Sequence, residues 1–159
     1  MSSQLPPFQS FLDGHREIVW RVLVSAVGAA EAEDCFQETF VAALRAYPRL
    51  RPGSNTRAWV LTIAHRKALD AHRARARRAT PVADPAAVDG RGQNASQAPD
   101  DALWSAVQEL PPRQRSAVVL RYLGDLPHRE IAAAIGCSEE AARRSLHEGL
   151  TTLRKVVPA

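Results

Sequence analysis

The chain has 159 residues, 21 Lys plus Arg and 17 Asp plus Glu, a net charge of +4. A hydrophobic fraction of 45% and a charged fraction of 24% exclude a wholly disordered chain. No apolar run approaches the ~18–20 residues of a membrane span, so membrane insertion is not expected.

Residues 1–15 carry neither a basic residue nor a cleavage-like site behind an apolar core, so no secretory signal is expected. The two cysteines, Cys35 and Cys137, are too far apart in sequence for a metal cluster or disulfide framework. A reducing cytoplasm fits them.

In chain order, Phe8, Phe11, Leu12, His15, Val19, Val22 and Ala26 recur at three and four and predict a helix ending near Gly28. Phe36, Phe40 and Leu44, with Val41 beside them, predict a second helix from Glu31 to Ala46. Tyr47-Pro48 ends it, because the residue before proline avoids the helical region. Arg51 to Asn55 reads as a loop. A third helix, Thr56 to Arg78, places Trp59 and Ile63 on its packing face and projects a basic end, Ala71 to Arg78, into solvent.

Residues 79–99 hold three Pro, two Gly and no aromatic, Leu, Ile or Met, which predicts a flexible linker. Beyond it, Asp100 can cap a helix from Asp101 to Leu110. Pro111-Pro112 opens another that stops at Gly124. Pro127 to Ile135 is a short helix closed by Gly136, and Ser138 caps a last one bearing Ala142, Leu146, Leu150 and Leu153. No segment alternates at period two. The expectation is an all-α protein: helical blocks at 1–78 and 100–159, joined by 79–99.

The charge is segregated. From Arg57 to Arg78 seven Lys/Arg face one Asp. From Ala29 to Phe40 there are four acids and no base. The short helix, the glycine turn and the longer helix between 127 and 147 form a helix-turn-helix pattern, whose second helix enters a DNA major groove. Arg143, Arg144 and His147 lie on that helix's open face, and Arg can grip guanine with two hydrogen bonds. Arg66, Lys67 and Arg73 begin a basic stripe suited to phosphates. Asp34 and Glu38 stand at i, i+4 with Gln37 beside them. Such neighbours repel, so they read either as a plain solvated face or as a patch aimed at a basic partner.

Catalytic patterns are missing. His65 and His72 lack a third ligand nearby, and there is no phosphate-binding Gly-rich loop or Gly-x-Ser-x-Gly elbow. No enzymatic activity, metal, cofactor or small-molecule substrate is expected.

The order of four segments resembles the sigma-seventy family of bacterial RNA polymerase initiation factors, the extracytoplasmic-function (ECF) group in particular. They are Ala32 to Phe40, Thr56 to Asp70, Leu110-Pro111-Pro112-Arg113-Gln114-Arg115, and the helix-turn-helix. The resemblance implies region 2 in 1–78 and region 4 in 100–159. It assigns Asp34, Gln37 and Glu38 to the clamp helices of the polymerase largest subunit, which makes the acidic patch an interface. It assigns Leu50, Asn55, Ile63, Arg66, Lys67 and Arg73 to the −10 element, and Arg143, Arg144 and His147 to the −35 element. The implied partners are core RNA polymerase, including its flap region, promoter DNA and an anti-sigma factor.

Three positions depart from the family pattern: Ala141-Ala142 stand where Thr-Val is usual, Glu148 where Arg is usual, and Leu126-Pro127-His128 lack the usual Ser/Thr cap. A carboxylate facing phosphates is unfavourable, so Glu148 predicts weaker −35 contacts or one aimed at a cytosine amino group. No appended domain is expected after Ala159. The alternative on the same residues is a sigma-like helix-turn-helix regulator that does not start transcription.

Overall fold

The computed structural model describes residues 4–78 and 100–156. The expected linker lies outside the described residues. The helices are α1 (Phe8–Val27), α2 (Ala29–Ala46), α3 (Thr56–Arg78), α4 (Asp100–Glu109), α5 (Pro112–Tyr122), α6 (His128–Ile135) and α7 (Glu139–Val156), with a 3-10 turn at Tyr47–Arg49. No strand occurs among the described residues.

α1, α2 and α3 pack on one another around an aromatic centre. Phe11 is 2% exposed, with the rings of Tyr47, Phe8 and Trp59 at 5.1, 5.6 and 5.6 Å. Trp59 is therefore a packing residue. His15 ties α1 to the start of α3. Its Nδ1–H donates to the Phe11 carbonyl at 2.8 Å, which leaves Nε2 to accept from the Thr56 hydroxyl at 3.3 Å.

The buried face of α2 is Ala32, Cys35, Thr39, Phe40 and Ala43. This corrects the apolar stripe expected from Phe36, Phe40 and Leu44. Leu44 and Val41 are 54% and 48% exposed, and Phe36 is only half-buried. Steps of four drift around a 3.6-residue helix, so a run at i, i+4, i+8 leaves the face it started on.

The end of α3 is also less free than expected. The His72 Nε2–H donates to the Ala26 carbonyl at 2.9 Å, and Arg75 pairs with Glu31 of α2 at 2.5 Å. Part of the basic stripe is thus tied to the acidic one.

In the second block, α5 ends at Tyr122 with Leu123 as its C-cap, and the loop beyond it turns at Asp125, the one non-glycine residue with positive φ (52°) among those described. The Gly124 N–H closes onto the Val119 carbonyl at 3.2 Å and the Leu126 N–H onto the Leu120 carbonyl at 3.1 Å, with Asp125 left-handed between them. The helix thus stops just before Gly124, where the sequence pattern expects it to. The turn between α6 and α7 follows expectation. Gly136 has φ 82° and ψ 40°, and the Cys137 N–H closes onto the Ala132 carbonyl at 3.0 Å. The Ser138 hydroxyl oxygen accepts the Ala141 N–H at 3.1 Å and caps α7. Ser138→Ala is expected to cost about 1 kcal/mol, read as a lower denaturant midpoint with unchanged m.

The two blocks touch. α3 packs against α6, and α1 against α4 and α5, so one continuous buried cluster runs through both. The division into two helical blocks holds, and the seam between them is what the sequence pattern does not reveal. His65 lies on it, 8% exposed. Burial, then the nearby Arg66 and His72, push its imidazole below the ordinary range. The folded chain holds His65 neutral while the unfolded chain protonates it near pH ~6.5. Stability is therefore full above that value and falls as the pH drops through it. Melting temperatures from pH 8 to 5 should show this slope in the parent chain and a flatter one in His65→Leu.

Candidate nucleic-acid interface

α2 presents Asp34, Gln37 and Glu38 together on its exposed side, while Cys35, Thr39 and Phe40 point inward. The inward residues hold the outward ones still. The Thr39 hydroxyl donates to the Cys35 carbonyl at 2.6 Å, and Phe40 is 6% exposed against Phe36 at 4.9 Å. The negative field of this face is felt by the buried Cys35 thiol. Desolvation raises its pKa first, and Glu38, Glu31, Asp34 and Asp70 raise it further. Exposed Val41 and Leu44 adjoin the acids one and two turns on, so the outward face of α2 is acidic at one end and apolar at the other. The sequence pattern hides that apolar half, because Leu44 counts there as core.

The residues expected to meet the −10 element fall into an exposed and a packed group. Arg66 and Arg73 are exposed on α3, and Lys67 is half-buried. Asn55 is exposed, yet its side-chain oxygen accepts the Ala58 N–H at 3.0 Å and so caps the start of α3. Leu50 and Ile63 are partly buried against the core. The structure thus gathers three cations along α3 and gives Asn55, Leu50 and Ile63 packing or capping work as well.

On α7, Arg143, Arg144 and His147 are all exposed, opposite buried Ala142, Ser145 and Leu146. Arg143 pairs with Glu139 one turn back at 2.8 Å. At that exposure the pair is weak and exchanges readily for a stronger acceptor. Glu148 lies at the α5 side of the helix, where its carboxylate accepts from the Gln114 amide at 3.2 Å. α6 starts at Pro127 with no side-chain cap, as its sequence suggested.

Among the described residues, helices alone, a closed glycine turn and an arginine-bearing second helix make the helix-turn-helix arrangement used by DNA-binding proteins. The comparisons with known proteins sharpen this. The family model "Sigma-70 region 2" matches residues 11–78, and "Sigma-70, region 4" matches 100–153. The chain belongs to the sigma-70 family of transcription initiation factors, and its curated relatives place it in the ECF group. It is 35% identical over 144 residues to the RNA polymerase sigma factor CarQ of Myxococcus xanthus, covering 80% of this chain and 75% of the relative. It is 34% identical over 160 residues to the ECF RNA polymerase sigma factor SigD of Mycobacterium tuberculosis, covering 93% and 76%. The fold matches the sigma factor RpoE solved with the anti-sigma factor NepR from Bartonella quintana, with a TM-score of 0.78, 20% identity, and 94% and 95% of the two chains covered. No described helix is long and apolar enough to cross a membrane.

Proposed function

We propose that this chain acts in the cytoplasm, without catalysis of its own, by docking on core RNA polymerase and carrying it to promoters. Asp34, Gln37 and Glu38 meet the clamp helices of the largest subunit, and 100–159 meets the flap region. The 1–78 block takes the −10 element, with Arg66, Lys67 and Arg73 against phosphates and Leu50, Asn55 and Ile63 near unpaired bases. The 100–159 block takes the −35 element through Arg143, Arg144 and His147. Linked readers bind more tightly than either alone, because the first contact raises the effective concentration of the second. An anti-sigma factor, the kind of partner with which RpoE was solved, would hold the chain in reserve.

The observation that carries this reading is the coexistence, in one chain, of an exposed acid-amide face held rigidly on α2 and an exposed arginine face on α7. A plain regulator needs only the second. Exchanging Arg143 and Arg144 for Ala should cost about 1–3 kcal/mol of −35 discrimination for each bidentate pair lost. Core polymerase binding should stay unchanged. Binding assays on templates with intact and scrambled −35 elements check this, and equal discrimination by both proteins would remove α7 from the readout.

A further inference from the structure

Glu148 stands where the family pattern has Arg, one turn beyond Arg144 on α7, and both side chains are exposed. An acid one turn from an arginine can close on it, as Glu139 does on Arg143 at 2.8 Å. Glu148 does not. Its carboxylate turns to α5 and accepts from the Gln114 amide at 3.2 Å. Glu140, one turn back from Arg144, sits in the first turn of α7, where the helix dipole favours a carboxylate. Among the described residues, the ion pair on α7 is that of Arg143, and Arg144 has none.

We propose that Gln114 is a positioning residue for −35 recognition: it holds the Glu148 carboxylate against α5 and so leaves the Arg144 guanidinium open to DNA. The proposal rests on the −35 reading above. Three observations make Gln114 a fixed donor. A Cβ on buried Gly149 would stand 3.0 Å from Val118 Cγ2 and 3.5 Å from Gln114 Cβ, so a glycine there lets α5 and α7 close at this level. The Gln114 side chain is half-buried, and its amide oxygen is fully buried with no hydrogen-bond partner among the described residues. The reverse orientation would bury the amide NH2 and set the oxygen against the carboxylate, so the N–H stays towards Glu148.

The competition for Glu148 favours Gln114. A hydrogen bond onto a carboxylate is charge-assisted. An exposed Arg–Glu pair must order two long side chains for little gain. Without the Gln114 amide, Glu148 has Arg144 one turn back as its next partner. An Arg144 held there no longer offers its whole fork to a guanine edge. The carboxylate also leaves α5 for the side of α7 that carries the arginines, where it repels phosphates.

The test is Gln114→Met, which keeps the unbranched stem and removes the donor and the unpaired oxygen together. Core polymerase with each full-length chain transcribes promoters selected with the parent from a randomised library, their −35 elements intact or scrambled. The ratio of the two yields should fall about threefold or more, the scale of an exposed ion pair with a phosphate repulsion added. Melting temperature should hold or rise, because a buried oxygen without a partner has gone. Adding Glu148→Gln should return the ratio to the parent value, which a packing defect at Gln114 would not allow. In the free chain, NMR of the Arg144 side-chain Nε–H should show it mobile in the parent, restrained in Gln114→Met and mobile again in the double variant. A parental ratio in Gln114→Met would overturn the proposal. So would a double variant as poor as the single one, or an Arg144 already restrained in the parent. If the parent itself ignores the −35 element, the −35 reading fails, and the NMR comparison still decides whether Gln114 keeps Glu148 from Arg144.

Discussion

Asp34→Lys should cut the affinity for core RNA polymerase by about 100-fold or more, the scale expected when one partner of a docked charge pair is reversed. The fold should not suffer. Asp34 is exposed on α2, and its neighbour Glu38 stands one turn on. The parent pair is acid against acid, which destabilises a helix by a few tenths of a kcal/mol, and a lysine facing Glu38 in place of Asp34 reverses that sign. Melting temperature should therefore hold or rise slightly while binding collapses. No mutation that unfolds α2 can give that combination. Titration of labelled core polymerase, with a thermal melt of the same preparation, checks both signs. A variant that binds as the parent does would detach the acidic face from polymerase recognition.

Phe11→Ala should produce the largest loss of stability among the described side chains. Phe11 is 2% exposed, with Tyr47, Phe8, Trp59 and Phe40 ranged around it at 5.1 to 6.5 Å. Emptying such a site costs about 3–5 kcal/mol, transfer and cavity together. That is a large part of the ~5–15 kcal/mol a domain possesses, and about 10 °C or more in melting temperature. Differential scanning calorimetry would measure it. The functional consequence runs through His15. Its donation to the Phe11 backbone survives the substitution, but the ring stacked on it at 4.7 Å does not. The hydrogen bond from Thr56 at the start of α3 then loses its fixed acceptor.

The sequence was most legible where a single residue type dictates backbone shape. Gly136 and Ser138 marked the helix-turn-helix joint, and the structure puts a left-handed residue and a cap at those positions. The α3 boundaries were readable because Pro48 and Gly53 precede it and a run of helix formers fills it. The stop of α5 before Gly124 was readable, whereas the left-handed turn at Asp125 was not, because aspartate does not demand that conformation.

Phase was harder than extent. Phe36 and Leu44 looked like core because they are large, whereas α2 buries the small Ala32 and Ala43. Those alanines let α2 come close to its neighbours, a property that no count of large residues detects. The capping role of Asn55 was also hidden, since a loop residue assigned to DNA and a helix cap look alike in one sequence. Least legible was the seam. Leu61, Ser25, Gln108 and Gly124 meet across it, with no shared period or motif in the sequence to announce it. The acid-amide face on α2 was visible as composition, and the family resemblance gave it a partner.

The initiation role requires that this chain make core RNA polymerase start at particular promoters. Run-off transcription with purified core polymerase on a randomised promoter library decides that in one experiment. Transcripts should depend on the added chain, and their templates should share two upstream elements, near −10 and −35. Stable DNA binding by the chain with no dependent transcript and no association with core polymerase would contradict the initiation role and leave a helix-turn-helix regulator in its place.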